Sequence, residues 1–150
     1  MKREIIRTAD GSTTIRLADW DEHYHSKHGA IQEAQHVFIK NGLALFSNRE
    51  LSVLEIGFGT GLNALITFLE ASKLGLTINY VGVEAYPVLP EEVALMNYVE
   101  ELQAKEYDAV FKRMHQSDWQ IAVPLREDFT LTKRQQFFDT IDDLAAYDLI

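Results

Sequence analysis

The 150-residue sequence contains no cysteine and only three prolines. The absence of cysteine excludes a disulfide framework and a thiolate metal site, and it fits a reducing cytoplasm. No apolar run approaches the roughly 20 residues that a membrane-spanning helix needs, and the N-terminal residues lack the apolar region of a signal peptide. We therefore expect a cytoplasmic protein without a membrane partner.

Basic residues are also scarce, since 14 Lys and Arg stand against 23 Asp and Glu, for a net charge of −9. Such a surface repels phosphate, so a nucleic-acid partner would have to meet a local basic patch. The length, with 47% hydrophobic residues, is typical of one packed globular domain. The sequence does not predict the oligomeric state.

Residues 1–50 predict an N-terminal extension made of a hairpin and a helix. Residues that favour strands flank Asp10-Gly11, a common hairpin turn. The segment "GAIQEAQHVFIKNGL" has apolar residues at helical spacing, and Asn41-Gly42 predicts a left-handed cap at its end.

Residues 51–150 predict a cofactor-binding core. The segment "LSVLEIG" is a buried strand, "GLNALITFLEASKLG" is a helix that Gly75 stops, and "TINYVGVEAYP" is a second buried strand. Pro90 then opens another helix. Alternating strands and helices indicate a parallel α/β sheet with right-handed crossovers.

The later part of the core is less regular. We expect two strands around a turn at Glu127-Asp128, then a short helix in "DTIDDLAA" with Asp139 as its N-cap. A strand begins at Tyr147 and has four residues up to Ile150. This fourth core strand has no helix after it, so we expect the sheet to be truncated there.

The segment "VLEIGFGTGLN" contains the strongest functional signal. Gly57, Gly59 and Gly61 stand at alternate positions between a strand and a helix, where glycine permits a tight turn and close approach of a ligand. The N–H groups at the start of the helix favour polar or anionic ligand groups. The loop could therefore hold a dinucleotide pyrophosphate or the amino-acid end of S-adenosylmethionine.

Two acidic residues favour S-adenosylmethionine. The dinucleotide fingerprint is G-x-G-x-x-G, whereas this loop reads G-x-G-x-G, and Glu55 would repel a pyrophosphate but could hold an ammonium group directly or through water. Glu84 lies 84 − 61 = 23 residues after Gly61, where an acid accepts hydrogen bonds from ribose hydroxyls.

The segment "EIGFGTGLN" resembles motif one of the class I, Rossmann-like methyltransferases, and Glu84 matches their ribose-binding acid. A longer pattern is similar to the methyltransferase half of the MnmC-type tRNA-modifying enzymes, over most of residues 20 to 90. Its matching positions are Tyr24, Ser26, Gly29, Glu33, Val37, Phe38, Phe58 to Asn63, Glu84, Tyr86 and Pro87.

The resemblance implies an α/β fold, namely a Rossmann-like methyltransferase sheet with helices on both faces. It implies S-adenosylmethionine as cofactor and transfer of its methyl group to the aminomethyl nitrogen of a wobble uridine in tRNA. It also implies an acid that contacts the adenine, for which Asp139 is the best match and Asp142 the alternative. The implied cofactor-binding residues are Tyr24, Glu55, Gly57, Phe58, Gly59, Thr60, Gly61, Asn63, Glu84, Ala85 and Asp139.

The family has an acidic, aromatic and proline-containing motif just after the fourth strand, beside the reacting amine. That motif would lie beyond Ile150, so we predict no catalytic residue and expect residues 1–150 alone to be inactive. The family's methyltransferase half is often fused to an FAD-dependent oxidase, and residues 1–150 contain none of that second half, as in the stand-alone members.

Two other functions are compatible with the sequence. The acidic charge would suit a small-molecule methyltransferase, and the loop would also suit a nucleoside-binding module without turnover. His23, His25, His28 and His36 match no zinc motif, so we expect surface or pocket-lining histidines and no metal. Lys133-Arg134 could be a solvated strand edge or a phosphate contact, and Trp20 and Trp119 are predicted in the core or a pocket wall.

Overall fold

The computed structural model describes every residue from Met1 to Ile150. The N-terminal residues form an antiparallel sheet in the order β1-β2-β3. Ile5 pairs with Ile15 across the hairpin, and Gly11 adopts a positive φ of 90° in the turn. The predicted hairpin is therefore confirmed. Its strands are β1 (Arg3–Arg7), β2 (Thr13–Leu17) and β3 (Glu22–His23).

The predicted helix of the extension is present as α1 (Ala30–Ala34), followed by π-helical winding over Gln35–Lys40. Its predicted left-handed cap is wrong, because Asn41 and Gly42 have φ values of −96° and −134°. Glycine is needed at position 42 for space instead: a Cβ there would lie 2.6 Å from the carbonyl oxygen of Phe38.

The second sheet has the order β4-β5-β7-β6. Its β4-β5 and β5-β7 pairs are parallel, while β6 and β7 form the predicted antiparallel hairpin. Leu149 forms a single parallel bridge with Val53 on the other side of β4. The α/β fold class is thus confirmed. The strands are β4 (Glu50–Ile56), β5 (Thr77–Val83), β6 (Ala122–Arg126) and β7 (Phe129–Arg134).

Four further helices follow in the chain, and most of their buried residues join one core. That core includes side chains from alternate positions of β4, β5 and β7, such as Val53, Tyr80 and Leu131. The helices are α2 (Leu62–Lys73), α3 (Pro90–Val93), α4 (Tyr98–Glu101) and α5 (Asp108–Gln116). Gly75 follows α2 with φ 66°, as the predicted stop requires.

The opposite face of the sheet has a much smaller core. Leu54, Val81 and Val83 are buried there against Ile141 and Tyr147. The predicted short helix with Asp139 as N-cap is wrong, since this region contains two 3-10 turns at Phe138–Thr140 and Leu144–Ala146. The residue that caps the first turn is Phe137, so Asp139 lies within that turn and not at its N-cap.

The hairpin makes polar contacts with the segment that follows β5, and Ile15 of β2 joins the main core. The Arg3 guanidinium donates to the carbonyl oxygens of Tyr86 and Pro87 at 2.7 and 3.1 Å and to Glu92 Oε1 at 3.0 Å. The Thr13 N–H donates to Asn97 Oδ1 at 2.8 Å. The extension is therefore fixed against the segment that follows β5.

No helix combines the length and apolar character needed to cross a membrane.

A glycine in β5 makes room for the loop that follows β4. The Phe58 ring lies over Gly82, and a Cβ at Gly82 would collide with Phe58 Cδ2. Phe58 is only 4% exposed, so its ring fills the gap that Gly82 leaves in the sheet surface.

We expect Gly82→Ala to lower the free energy of unfolding by about 1–3 kcal/mol, the usual cost of overpacking a core. The measurement is urea unfolding of Gly82→Ala, Phe58→Leu and the double variant. Because the smaller leucine relieves the collision, the double variant should lose less than the two single losses added together. Strict additivity would show that the Phe58–Gly82 contact is not the cause.

Candidate cofactor site

The loop from Gly57 to Gly61 has a left-handed backbone at every second residue. Gly57, Gly59 and Gly61 have φ values of 88°, 53° and 76°, a region that residues with a Cβ rarely adopt. The N–H groups of Gly57 and Phe58 both donate to the Val83 carbonyl at 2.9 Å. The alternating glycines thus let the loop turn back onto the end of β5.

Thr60 fixes the far side of the loop. Its Oγ1 accepts a hydrogen bond from the buried Tyr98 hydroxyl at 2.8 Å, and its carbonyl oxygen lies 2.9 Å from His115 Nε2. Burial lowers the pKa of His115 to about 4, so the ring is neutral and Nε2 carries the proton that it donates to the carbonyl. Helices α4 and α5 therefore hold the loop in place.

A cavity of about 410 Å³ opens beside this loop. It brings together most of the residues that the sequence predicts to hold the cofactor, although they come from both sheets. Gly61 lies next to it, buried, as the N-cap of α2. The predicted residues that line the cavity are Tyr24, Glu55, Gly57, Phe58, Gly59, Thr60 and Asn63.

Glu55 is a buried acid at the base of the cavity. Its carboxyl oxygens accept hydrogen bonds from the Tyr80 hydroxyl at 2.9 Å and from Asn63 Nδ2 at 2.7 Å. Burial outweighs these two bonds and raises the pKa of Glu55 to about 8. The side chain is therefore close to its titration point at neutral pH and would ionise fully beside a cation.

Asn63 Oδ1 is the one buried side-chain nitrogen or oxygen of the chain without a hydrogen-bond partner. Its amide nitrogen is already used by Glu55, so the free oxygen is an unused acceptor in a residue that lines the cavity. An unpaired buried acceptor costs free energy. Two of the residues that line the cavity thus carry buried acceptors, the Glu55 carboxyl group and the unpaired Asn63 Oδ1.

Glu84 lies directly after β5 and contacts the loop. Its Oε2 accepts from the Gly59 N–H and its Oε1 from the Tyr86 N–H, both at 2.9 Å. Each oxygen has further lone pairs for ligand hydroxyls. Glu84 therefore couples the loop to the segment that Arg3 holds.

Glu84 and the remaining predicted residues are not among those that line the cavity. Ala85 lines a separate groove with Trp119 and Phe137. Asp139 and Asp142 are both exposed, while the neighbouring Asp143 accepts two hydrogen bonds of 3.1 Å from Arg134. The adenine contact of Asp139 or Asp142 stays a prediction.

Several residues of the site were missed from the sequence. Tyr80 and Tyr98 look like ordinary core aromatics, but their hydroxyls bind Glu55 and Thr60. His115 lies 55 residues from its partner Thr60. Of these contacts, only the close packing at Gly82 could have been predicted, because a glycine inside a buried strand indicates close approach of another group.

The other sequence hypotheses concern the two tryptophans, the basic pair at Lys133 and a metal site. Trp20 is 61% exposed, so its predicted core position is wrong, whereas Trp119 lines the groove at Ala85. Lys133 is not a solvated strand edge, because it is buried and donates to the His115 carbonyl at 2.7 Å. The chain contains no cluster of three or more His, Asp or Glu side chains that could hold a metal ion.

No protein-family model matches the chain. The chain is similar to curated proteins named tRNA 5-methylaminomethyl-2-thiouridine biosynthesis bifunctional protein MnmC. The protein from Cupriavidus necator is 35% identical over 85 residues, which cover 52% of this chain and 13% of the relative. The protein from Ralstonia nicotianae is 32% identical over 114 residues, which cover 71% and 16%. The chain thus spans about a seventh of the length of these relatives.

A solved structure, the crystal structure of MnmC2 from Aquifex aeolicus, is also similar. The two share 25% sequence identity with a TM-score of 0.61, and the match covers 88% of this chain and 41% of the other. The resemblance to an MnmC-like methyltransferase domain is therefore confirmed in both sequence and fold.

The raised pKa of Glu55 predicts how stability depends on pH. An acid with a folded-state pKa of about 8, against an ordinary 4.5, contributes stability that is fully present below pH 4.5. That contribution is lost as the pH rises through 8. We expect the wild-type free energy of unfolding to fall relative to Glu55→Gln between pH 5 and 8.5.

The measurement is urea unfolding at several pH values without ligand. Glu106→Gln, at an exposed position, is the matched control and should follow the wild type. Parallel curves for the wild type and Glu55→Gln would mean that Glu55 is ionised throughout this range.

Proposed function

We propose that the protein binds S-adenosylmethionine in the cavity beside the glycine loop and transfers its methyl group to tRNA. The acceptor is the aminomethyl nitrogen of a wobble uridine. The observation that carries the proposal is that two neighbouring residues line the cavity, the buried acid Glu55 and Asn63, whose Oδ1 has no hydrogen-bond partner in the chain.

The two acceptors fit the amino-acid end of this cofactor. An ammonium group donates three hydrogen bonds and carries a positive charge, so it would use both acceptors and keep Glu55 ionised. A pyrophosphate fits poorly, because it offers acceptors and negative charge to a carboxylate and an amide oxygen. The electrostatics of the site thus favour S-adenosylmethionine over a dinucleotide.

Glu84 would hold the ribose. Its oxygens already accept one backbone N–H each, and their remaining lone pairs can accept from two neighbouring hydroxyls. Because the same carboxylate fixes Gly59, ribose binding and loop position depend on one side chain. The bound cofactor supplies a methyl group activated by a positively charged sulfur, and the protein's part is to orient it and exclude water.

The acceptor is proposed from the relatives. The names of the similar MnmC proteins refer to the biosynthesis of 5-methylaminomethyl-2-thiouridine in tRNA. The net charge of −9 favours a second candidate, a small-molecule amine, because an acidic surface repels RNA. The third candidate, a nucleoside-binding module without turnover, would use the same cavity.

We expect the natural full-length protein to transfer a labelled methyl group to tRNA that carries an aminomethyl group on its wobble uridine. The same tRNA with an unmodified uridine should gain no label, because it lacks the nucleophile. Label in small primary amines but not in tRNA would support the small-molecule alternative. Binding of the donor without transfer in any arm would support the nucleoside-binding module.

We expect Glu84→Ala to weaken binding of S-adenosylhomocysteine by about ten- to a hundredfold, because hydrogen bonds to a charged group contribute about 1.5–3 kcal/mol. Calorimetry measures the affinity, with NAD as the competing ligand class and thermal unfolding as the check on folding. Glu91→Ala, at an exposed position in the next helix, should bind like the wild type. An unchanged affinity in folded Glu84→Ala, or tighter binding of NAD by the wild type, would contradict the site.

A further inference from the structure

A groove of about 490 Å³ on the surface lies next to the cofactor cavity. It is formed by the segment between β3 and α1, and it shares Tyr24, His25 and Glu33 with the cavity. These three residues therefore lie between the groove and the proposed donor site. A second substrate that enters through the groove would meet them first.

His25 is the side chain at this boundary that can bind an uncharged polar group. Its Nδ1 lies 2.9 Å from the hydroxyl of the fully buried Thr14, which fixes the ring. The other ring nitrogen, Nε2, has no hydrogen-bond partner within the chain and is not among the buried unpaired atoms. It is therefore open to a ligand. Burial lowers the pKa of His25 to about 4, so the ring is neutral at physiological pH.

Of the two acids in the groove, Asp21 is paired with a cation, whereas Glu33 accepts from a neutral N–H. Asp21 Oδ1 accepts two hydrogen bonds from Arg16, at 2.8 and 3.0 Å. Glu33 Oε2 accepts the Ser26 N–H at 2.8 Å. The Lys27 ammonium group, by contrast, is exposed and has no ion-pair partner. In a chain with a net charge of −9, Lys27 therefore places an unpaired positive charge in the groove.

We propose that this groove is the entrance for the acceptor nucleotide. Lys27 contacts a phosphate of the RNA, and His25 Nε2 forms a hydrogen bond with the acceptor amine at the inner end. The proposal rests on the proposed function, and it assigns the acceptor side of the site to the N-terminal extension. The groove orients the amine toward the cavity. Tyr24 packs over Gly59, since a Cβ at Gly59 would lie 3.2 Å from the Tyr24 ring.

The probe is an anticodon stem–loop RNA with 5-aminomethyl-2-thiouridine at the wobble position, added to the protein saturated with S-adenosylhomocysteine. We expect Lys27→Ala to weaken RNA binding and to reduce the slope of log affinity against log salt by about one. Binding of S-adenosylhomocysteine should not change. Lys105→Ala removes another exposed, unpaired lysine and should bind the RNA like the wild type. Equal RNA binding by all three proteins would overturn the phosphate contact.

The role of His25 is tested with two RNAs that differ only in the aminomethyl group. We expect the wild type to prefer the RNA with this group about three- to tenfold, the range of one neutral hydrogen bond. His25→Phe keeps the ring size and should lose this preference, while its affinity for S-adenosylhomocysteine and for the RNA without the group stays the same. A preference kept by His25→Phe would overturn the inference and leave the proposed function standing. A wild type that binds neither RNA would overturn both.

Discussion

The site depends on how the loop after β4 is fastened to the end of β5. Three backbone N–H groups of the loop donate to β5 or to the residue after it, two to the Val83 carbonyl and one to Glu84. The loop reaches these acceptors because its glycines adopt positive φ values. Phe58 then fills the space above Gly82. The backbone of the candidate site is thus positioned by the sheet itself.

The buried acid Glu55 determines which ligand charge is favoured beside this loop. Its hydrogen bonds to Tyr80 and Asn63 do not offset the cost of burying a charge, so its pKa rises to about 8. A cation at this point would offset that cost, whereas an anion would add to it. A buried, nearly neutral acid beside an unpaired amide oxygen therefore supports the proposed ligand with an ammonium group. The same arrangement lowers the stability of the protein without ligand, as is common for binding sites.

The sequence predicted the parts of the structure that depend on local patterns. Apolar runs and glycine spacing identified β4, α2 and β5 because burial and positive φ leave direct marks on residue types. It failed where the deciding contact leaves no mark on the residue pattern. Gly42 is needed because of the Phe38 carbonyl, and the predicted helix at Asp139 is replaced by two 3-10 turns, near which Asp143 binds Arg134. The contacts of Tyr98 and His115 with Thr60 likewise join residues 38 and 55 positions apart.

The N-terminal extension contributes residues that line the candidate site. Tyr24 comes from the first sheet's side of the cavity and Gly59 from the second, so the cavity exists only when the two sheets are docked. The docking has an apolar part, since Ile15, Ala30 and Ala34 of the extension belong to the main core. It also has a polar part, because Arg3 binds two carbonyls and the Glu92 carboxylate, and the Arg3 and Glu92 side chains are each only 13% exposed. The family pattern over most of residues 20 to 90 includes Tyr24 and Gly59, so it contains residues from both walls of this cavity.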